Sequence, residues 1–254
     1  MCSFKMHVTA IVLAAGGGLR FKSKISKPLI KINSQPAIIY SLNILSKHPY
    51  IRDIIVVVNT GNLQDIMSKI EQYRIKKIKD VVLGGRQRQG SVVNGLKAID
   101  ERTDLVLIHD AVRPFIDRET VSKVIKEAGR CSAAIVGVPV KATIKSVKVS
   151  LPAARLPARQ GQAGKCQGVK EKFIVDKTLD RDRLWEIQTP QVFKKELIFA
   201  AYKRCGDIEV TDDASLVERL GVKIRVVAGS YFNIKITTPE DLIFATAIAK
   251  KVKA

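Results

Sequence analysis

Short runs of apolar residues alternate along the chain with stretches in which apolar residues recur three and four apart. Val8–Leu13, Ile54–Val58, Val81–Leu83, Leu105–Ile108 and Ala133–Val138 are continuous enough to be strands buried on both faces, the habit of a parallel sheet. Between them, Ala37–Lys47, Leu63–Tyr73, Ser91–Ile99 and Arg118–Ala128 carry helical spacing, and Pro36 stands where a first helical turn tolerates it. Further on, Lys194–Arg204, Asp212–Leu220 and Pro239–Lys250 read as helices, with a strand near Lys223–Val227. Strand and helix in alternation predict an α/β fold, an open doubly wound and mostly parallel sheet. Ligands of such sheets bind at the carboxyl ends of the strands. Leu151–Val169 breaks the pattern: rich in Pro, Ala, Gly, Gln and Arg and without periodicity, it reads as a loop or insertion. No repeat and no second domain are evident over residues 1–254.

Charge narrows the partners. Lys and Arg total 44 against 24 Asp and Glu, a net charge of +20, which suits a nucleotide, a phosphosugar or a nucleic acid but also fits a lysine-rich solvated surface. Nucleic-acid binding would call for aromatic residues interleaved with the cations, and the basic stretch Leu151–Val169 has none. Cys2, Cys131, Cys166 and Cys205 are far apart, as are His7, His48 and His109, so neither a zinc site nor a disulfide framework is expected. That usage fits a reducing, cytoplasmic location. The apolar stretch Val8–Ala15 is too short for a signal peptide and runs into glycines, and no segment is long enough to span a membrane.

The first strand ends in Leu13-Ala14-Ala15-Gly16-Gly17-Gly18-Leu19-Arg20. Small residues let backbone N–H groups approach phosphate oxygens. Neither the P-loop pattern nor the third glycine of the dinucleotide fingerprint is present. Instead, Arg20 and Lys27-Pro28 follow. Two cations behind a phosphate-cradling loop suit a triphosphate attacked at its α-phosphorus, because they stabilise the charge that builds on the equatorial oxygens and the departing pyrophosphate. A second glycine-rich turn, Gly84-Gly85-Arg86-Gln87-Arg88-Gln89-Gly90-Ser91, joins a strand to a helix, with Ser91 as the expected N-cap. Next comes His109-Asp110-Ala111-Val112-Arg113-Pro114, where Asp110 suits Mg²⁺ or a ligand hydroxyl, Arg113 suits a phosphate, and the histidine reads as structural.

The run Leu13-Ala14-Ala15-Gly16-x-Gly18-x-Arg20 with Lys27-Pro28 resembles the signature of sugar-phosphate nucleotidylyltransferases. Joined in order by Pro139–Lys145, Asp180–Trp185, Gln188–Phe193, Thr211–Ser215 and Asn233–Thr237, the set is similar to the 2-C-methyl-D-erythritol 4-phosphate cytidylyltransferases of the non-mevalonate isoprenoid pathway. The resemblance implies one Rossmann-like nucleotidylyltransferase domain with a protruding β-arm at about 141–181. It implies transfer of CMP from CTP to 2-C-methyl-D-erythritol 4-phosphate, with Mg²⁺ as cofactor. Ala14, Ala15, Gly16, Gly18, Gly85, Arg88 and Ser91 would surround CTP. Arg20 and Lys27 would stabilise the transition state, and Asp110 would hold the metal. Arg113, Thr143, Arg181 and Lys235 would hold the substrate phosphate, Arg181 and Lys235 as catalytic residues, with Ala111 and Thr189 also among the substrate contacts. In this family the arm crosses to a partner subunit, so the resemblance also implies a homodimer sharing Thr143 and Arg181, with no membrane and no specific nucleic acid among its partners. Arg86 departs from the family, whose members often carry an acidic residue there, and the stretch from Thr143 to Arg181 is longer and more basic than the resemblance leads one to expect. The ribitol-5-phosphate cytidylyltransferases share the fold; Ala15, Asp180-Arg181 and Leu184-Trp185 favour the erythritol activity.

Overall fold

The computed structural model describes residues 6–16, 26–150, 172–206, 208 and 210–252. Leu151–Val169, read above as a loop, lies outside the described residues, as do Gly18 and Arg20. The chain divides into two compact bodies, residues 1–138 with 187–254, and Pro139–Glu186.

In chain order the elements are β1 (Val8–Leu13), a 3-10 turn (Lys27–Leu29), β2 (Lys31–Ile32), β3 (Gln35–Pro36), α1 (Ala37–Lys47), β4 (Ile51–Val58), α2 (Leu63–Gln72), β5 (Ile78–Leu83), α3 (Arg88–Lys97), β6 (Leu105–Asp110), α4 (Arg118–Cys131) and β7 (Ala133–Pro139). They continue with β8 (Lys145–Ser150), β9 (Lys172–Thr178), a 3-10 turn (Arg181–Arg183), β10 (Trp185–Lys194), α5 (Lys195–Cys205), α6 (Ala214–Glu218), β11 (Arg225–Ala228) and α7 (Pro239–Val252).

The first body is built on a seven-stranded sheet in the order β11-β7-β10-β6-β1-β4-β5. β1 pairs in parallel with both β4 and β6. The chain thus winds outward from β1 in two directions, and the crevice beyond its carboxyl end is a topological switch point. The apolar runs are continuous because each central strand is covered on both faces. In β1, Val8, Ala10 and Val12 pack with Leu42 of α1 and Val124 of α4, whereas Ile11 packs with Val92 and Leu96 of α3 and Ile198 of α5. β4 and β6 divide their side chains in the same way. Each fully buried Val, Ile or Leu contributes about 1.5–3 kcal/mol. A smaller cluster seats α7 through Ala245 and Ala249 against Ile32, Phe115 and Ile236. No helix among the described residues is long and apolar enough to cross a membrane.

Two features differ from the sequence reading. β10 is an additional strand, antiparallel to β6; its Gln188, Thr189 and Gln191 are buried, which the apolar-run criterion does not detect. Ser91 is not the N-cap of α3: Gln87 occupies that position and Ser91 lies within the first turn. Its hydroxyl accepts the Gly85 N–H at 3.2 Å and donates to the Gln87 carbonyl at 3.2 Å, folding the glycine turn back on the helix.

The second body is the arm. β8 and β9 form an antiparallel ladder in which Val147 faces Val175 and Val149 faces Phe173. These four side chains make one apolar face, and all are exposed, Phe173 by 64%. A two-stranded ribbon is marginal in water by itself. Within the arm, Arg181 donates from Nη1 to the Lys141 carbonyl at 3.1 Å.

Candidate active site

Three loops leave the carboxyl ends of β1, β5 and β6 and meet over the switch point. Ala14 and Ala15 follow β1 and pack against the turn after β5 so closely that a Cβ on Gly84 would come within 2.6 Å of the Ala15 methyl and of Ser91 Oγ. Gly85 is equally constrained: a Cβ there would lie 2.8 Å from Gly90 Cα. Glycine at Gly84 therefore lets the turn after β5 pack against the Ala15 methyl and Ser91, and glycine at Gly85 lets that turn close on Gly90.

These loops enclose a cavity of about 400 Å³. Of the residues expected to contact ligand, Ala14, Ala15, Gly16, Lys27, Gly85, Arg88, Ser91, Asp110 and Lys235 line it. A second cavity, of about 450 Å³, adjoins it and is lined by Arg113, Thr189 and Gln188. Arg88, Asp110 and Lys235 belong to both. Ala111 lines neither: its methyl is fully buried in the core, and its N–H donates to the Leu13 carbonyl at 3.0 Å, so it ties β6 to β1. Thr143 and Arg181 belong to the arm.

Charges alternate at the junction of the cavities. Lys235 Nζ lies 2.7 Å from Asp110 Oδ2, Arg88 Nε 3.6 Å from Asp110 Oδ1, and Arg88 Nη2 2.7 Å from Asp213 Oδ2. Burial alone would raise the Asp110 carboxyl, but Arg88 and Lys235 hold it well below the usual carboxylate range. Asp213 is fully buried and also accepts the Tyr202 hydroxyl at 2.5 Å. Lys27 Nζ reaches the Thr237 carbonyl at 2.8 Å.

A relay of hydrogen bonds orients the acid and its neighbour. The Asp110 N–H donates to Thr189 Oγ1 at 3.1 Å, and that oxygen lies 3.1 Å from His109 Nδ1. His109 Nε2 lies 3.1 Å from the Arg113 carbonyl. A carbonyl can only accept, so Nε2 carries the proton and Nδ1 receives the Thr189 hydroxyl. Burial pushes the His109 imidazole down to about 4, which keeps this neutral tautomer at pH 7. The histidine is thus structural, as its sequence setting suggested. Arg113, 7% exposed, donates to the Asn233 carbonyl at 2.8 Å and the Ile187 carbonyl at 3.4 Å.

Asp110 is the carboxylate lining the first cavity, and among the described residues no three His, Cys, Asp or Glu side chains cluster to hold a metal. That donor set would fit Mg²⁺ held through the Asp110 carboxylate together with ligand phosphate oxygens. It does not fit an all-protein metal cage.

Sequence reasoning carried Asp213 only as part of the Thr211–Ser215 motif, with no role of its own, and missed Tyr202, Asn59 and Asn62. The Asn59-Thr60-Gly61-Asn62 turn after β4 and the acidic pair in Thr211–Ser215 were the available signals, but their partners lie far along the chain.

A glycine-lined crevice at the switch point of an open α/β sheet, ringed by Lys27, Arg88 and Lys235 about one carboxylate, defines a nucleotidyl-transferring class of enzyme. The family model of 2-C-methyl-D-erythritol 4-phosphate cytidylyltransferase matches residues 8–165 and 163–251. The enzyme of that name from Syntrophus aciditrophicus is 42% identical over 250 residues, spanning 97% of each chain. Its counterpart from Alkaliphilus metalliredigens is 41% identical over 97% of this chain and 94% of the other. Among solved structures, the 4-diphosphocytidyl-2C-methyl-D-erythritol synthase of Anaerococcus prevotii superposes with a TM-score of 0.78 at 34% identity, covering 97% of both chains. The chain belongs to the 2-C-methyl-D-erythritol 4-phosphate cytidylyltransferase family.

Proposed function

We propose that this protein transfers the cytidylyl group of CTP to 2-C-methyl-D-erythritol 4-phosphate, releasing pyrophosphate and forming 4-diphosphocytidyl-2-C-methyl-D-erythritol for isoprenoid synthesis. Family membership supports the reaction. The observation that carries its placement is that Arg88, Asp110 and Lys235 line both cavities. CTP fits the glycine-lined cavity and the phosphosugar the adjoining one, so that its phosphate oxygen meets the α-phosphorus at their junction. One P–O bond forms as the bond to pyrophosphate breaks. The nucleophile is already an anion and needs no strong base, so the protein's contribution is positioning and charge stabilisation. Lys27 and Arg20 serve the α-phosphate, and Lys235 and Arg181 the attacking phosphate.

Mg²⁺ held by Asp110 would neutralise triphosphate charge when bound. We also propose a cytoplasmic homodimer. The exposed face of Val147, Val149, Phe173 and Val175 supports pairing through the arm, and partner-shared Thr143 and Arg181 follow from it. The dispersed cysteines, Cys131 and Cys205 being free thiols, support a reducing compartment.

The test is pyrophosphate release from CTP, UTP, ATP and GTP, each with 2-C-methyl-D-erythritol 4-phosphate and with ribitol 5-phosphate, with and without EDTA. Turnover is expected with CTP and the erythritol phosphate and should stop in EDTA. Equal turnover with UTP would remove the cytidylyl assignment, and preference for ribitol phosphate the sugar assignment.

A further inference from the structure

Ala14 follows β1, and Ser26 immediately precedes Lys27 and its 3-10 turn. One buried side chain touches both. Asn62, 1% exposed, stands at the start of α2. Its amide nitrogen donates to the Ala14 carbonyl at 2.9 Å and to Ser26 Oγ at 2.8 Å. Its oxygen accepts the Asn59 N–H at 2.9 Å. Both amide donors and the carbonyl are therefore engaged. The Asn59 amide adds a bond to the Ala15 carbonyl at 3.0 Å.

We infer that Asn62 is a positioning residue for cytidylyl transfer, fixing Lys27 relative to the glycine loop; this rests on the reaction proposed above. The amide plane sets the angle between the Ala14 carbonyl and Ser26, and Ser26 is one peptide bond from Lys27. The other end of Lys27 is held by the Thr237 carbonyl. The lysine is thus fixed at its base through Asn62 and at its tip through the segment before α7. Because Asn62 is shielded from solvent, water cannot replace a lost donor without rearrangement. Asparagine suits the site better than aspartate because the Ala14 carbonyl can only accept and needs a donor, whereas the Ser26 hydroxyl could turn and donate to a carboxylate.

Asn62→Asp keeps the shape, removes both donors and sets an oxygen against the Ala14 carbonyl. A displacement of about 1 Å at a reacting group costs on the order of a hundredfold in rate. The expected fall in kcat is therefore about ten- to a hundredfold, larger than the change in KM for CTP. Ser26→Ala removes one bond and should cost about three- to tenfold; it serves if Asn62→Asp does not fold. The discriminating readout is a double-mutant cycle with Lys27→Ala. If Asn62 acts through Lys27, adding Asn62→Asp to Lys27→Ala should lower kcat by less than about threefold. A merely structural effect would multiply in full. Hydrogen exchange at the Leu29 and Ile30 amides, which close the 3-10 turn onto Ser26 and Lys27, should quicken in both single variants. Wild-type kcat in Asn62→Asp, full multiplication in the cycle, or unchanged exchange at Leu29 and Ile30 would each overturn the inference. An inactive wild type would instead refute the assigned reaction, and the exchange data would then decide the role of Asn62 by themselves.

Discussion

Replacing Asp213 by asparagine should lower the melting temperature by about 4–12 °C. Asp213 is fully buried; one oxygen receives Arg88 Nη2 at 2.7 Å and the other the Tyr202 hydroxyl at 2.5 Å. An asparagine oxygen can keep the tyrosine bond, but its NH₂ group then faces the guanidinium, donor against donor. Removing one partner of a buried ion pair typically costs about 3–5 kcal/mol. Here the Arg88 side chain is 29% exposed, and Asp110 remains 3.6 Å from its Nε, so solvent and the second carboxylate absorb part of the loss. About 2–3 kcal/mol remains. For a chain of this length, each kcal/mol moves the midpoint by about 2–4 °C. Tyr202→Phe isolates the other bond and should cost about 1 kcal/mol. Scanning calorimetry at one fixed protein concentration is the assay, because self-association would otherwise shift the midpoint. A midpoint within about 2 °C of wild type in Asp213→Asn would show that Arg88 does not depend on Asp213, and the alternating row of charges would lose its outer anchor.

Lys27→Ala should reduce kcat by about 10²–10³ with the fold intact, the loss expected for a group stabilising transition-state charge; near-normal kcat would make Lys27 a surface lysine. Stability should fall on acidification through His109 and His48, each pushed by burial down to about 4. Their contribution is complete above the unfolded value of about 6.5 and is lost as pH falls towards 4, because the unfolded chain binds the protons more readily; urea midpoints flat between pH 6.5 and 4 would contradict this. Phe173→Lys should shift the protein towards monomer in light scattering, since it places a charge on the apolar face of the arm; an unchanged dimer would exclude that face from the interface.

What could be read from the sequence follows from the distance between partners. β1, β4 and β6 were legible because both faces of each strand meet apolar helices, so the strands themselves carry the signal. The second glycine turn was legible because the close approaches at Gly84 and Gly85 demand small residues locally. β10 was not, since its buried polar residues are satisfied from remote positions: Gln188 by Ser230 and Asn233, Thr189 by His109, and Gln191 by Asp212. Gln188–Phe193 is a recognisable motif without an element of its own in the sequence reading, because a proline and alternating polar residues carry no strand signal until those partners are known. Asp213 was visible in the Thr211–Ser215 motif, but its role was not, its partner Arg88 lying 125 residues away. Ser91 shows the converse error: the residue was correctly tied to the glycine turn, but its hydroxyl folds the turn onto the helix instead of capping it.

The alternating row also accounts for how a chain of net charge +20 would present the site proposed above for both an anion and a metal. Lys235, Asp110, Arg88 and Asp213 are two cations and two carboxylates in contact, so the row is balanced as it stands. With Asp213 engaging Arg88 from behind, Asp110 is not left to neutralise both cations alone. In the reaction proposed above, its carboxylate would then turn to Mg²⁺, and Lys235 to the phosphate of the incoming substrate. The arriving charges are opposite in sign, and exchanging one set of partners for the other preserves the balance at a site that burial makes intolerant of an uncompensated charge. The general excess of lysine and arginine favours anions near the protein; at the junction, the carboxylates Asp110 and Asp213 hold Lys235 and Arg88 in place, and those two cations are the groups that would hold the anions.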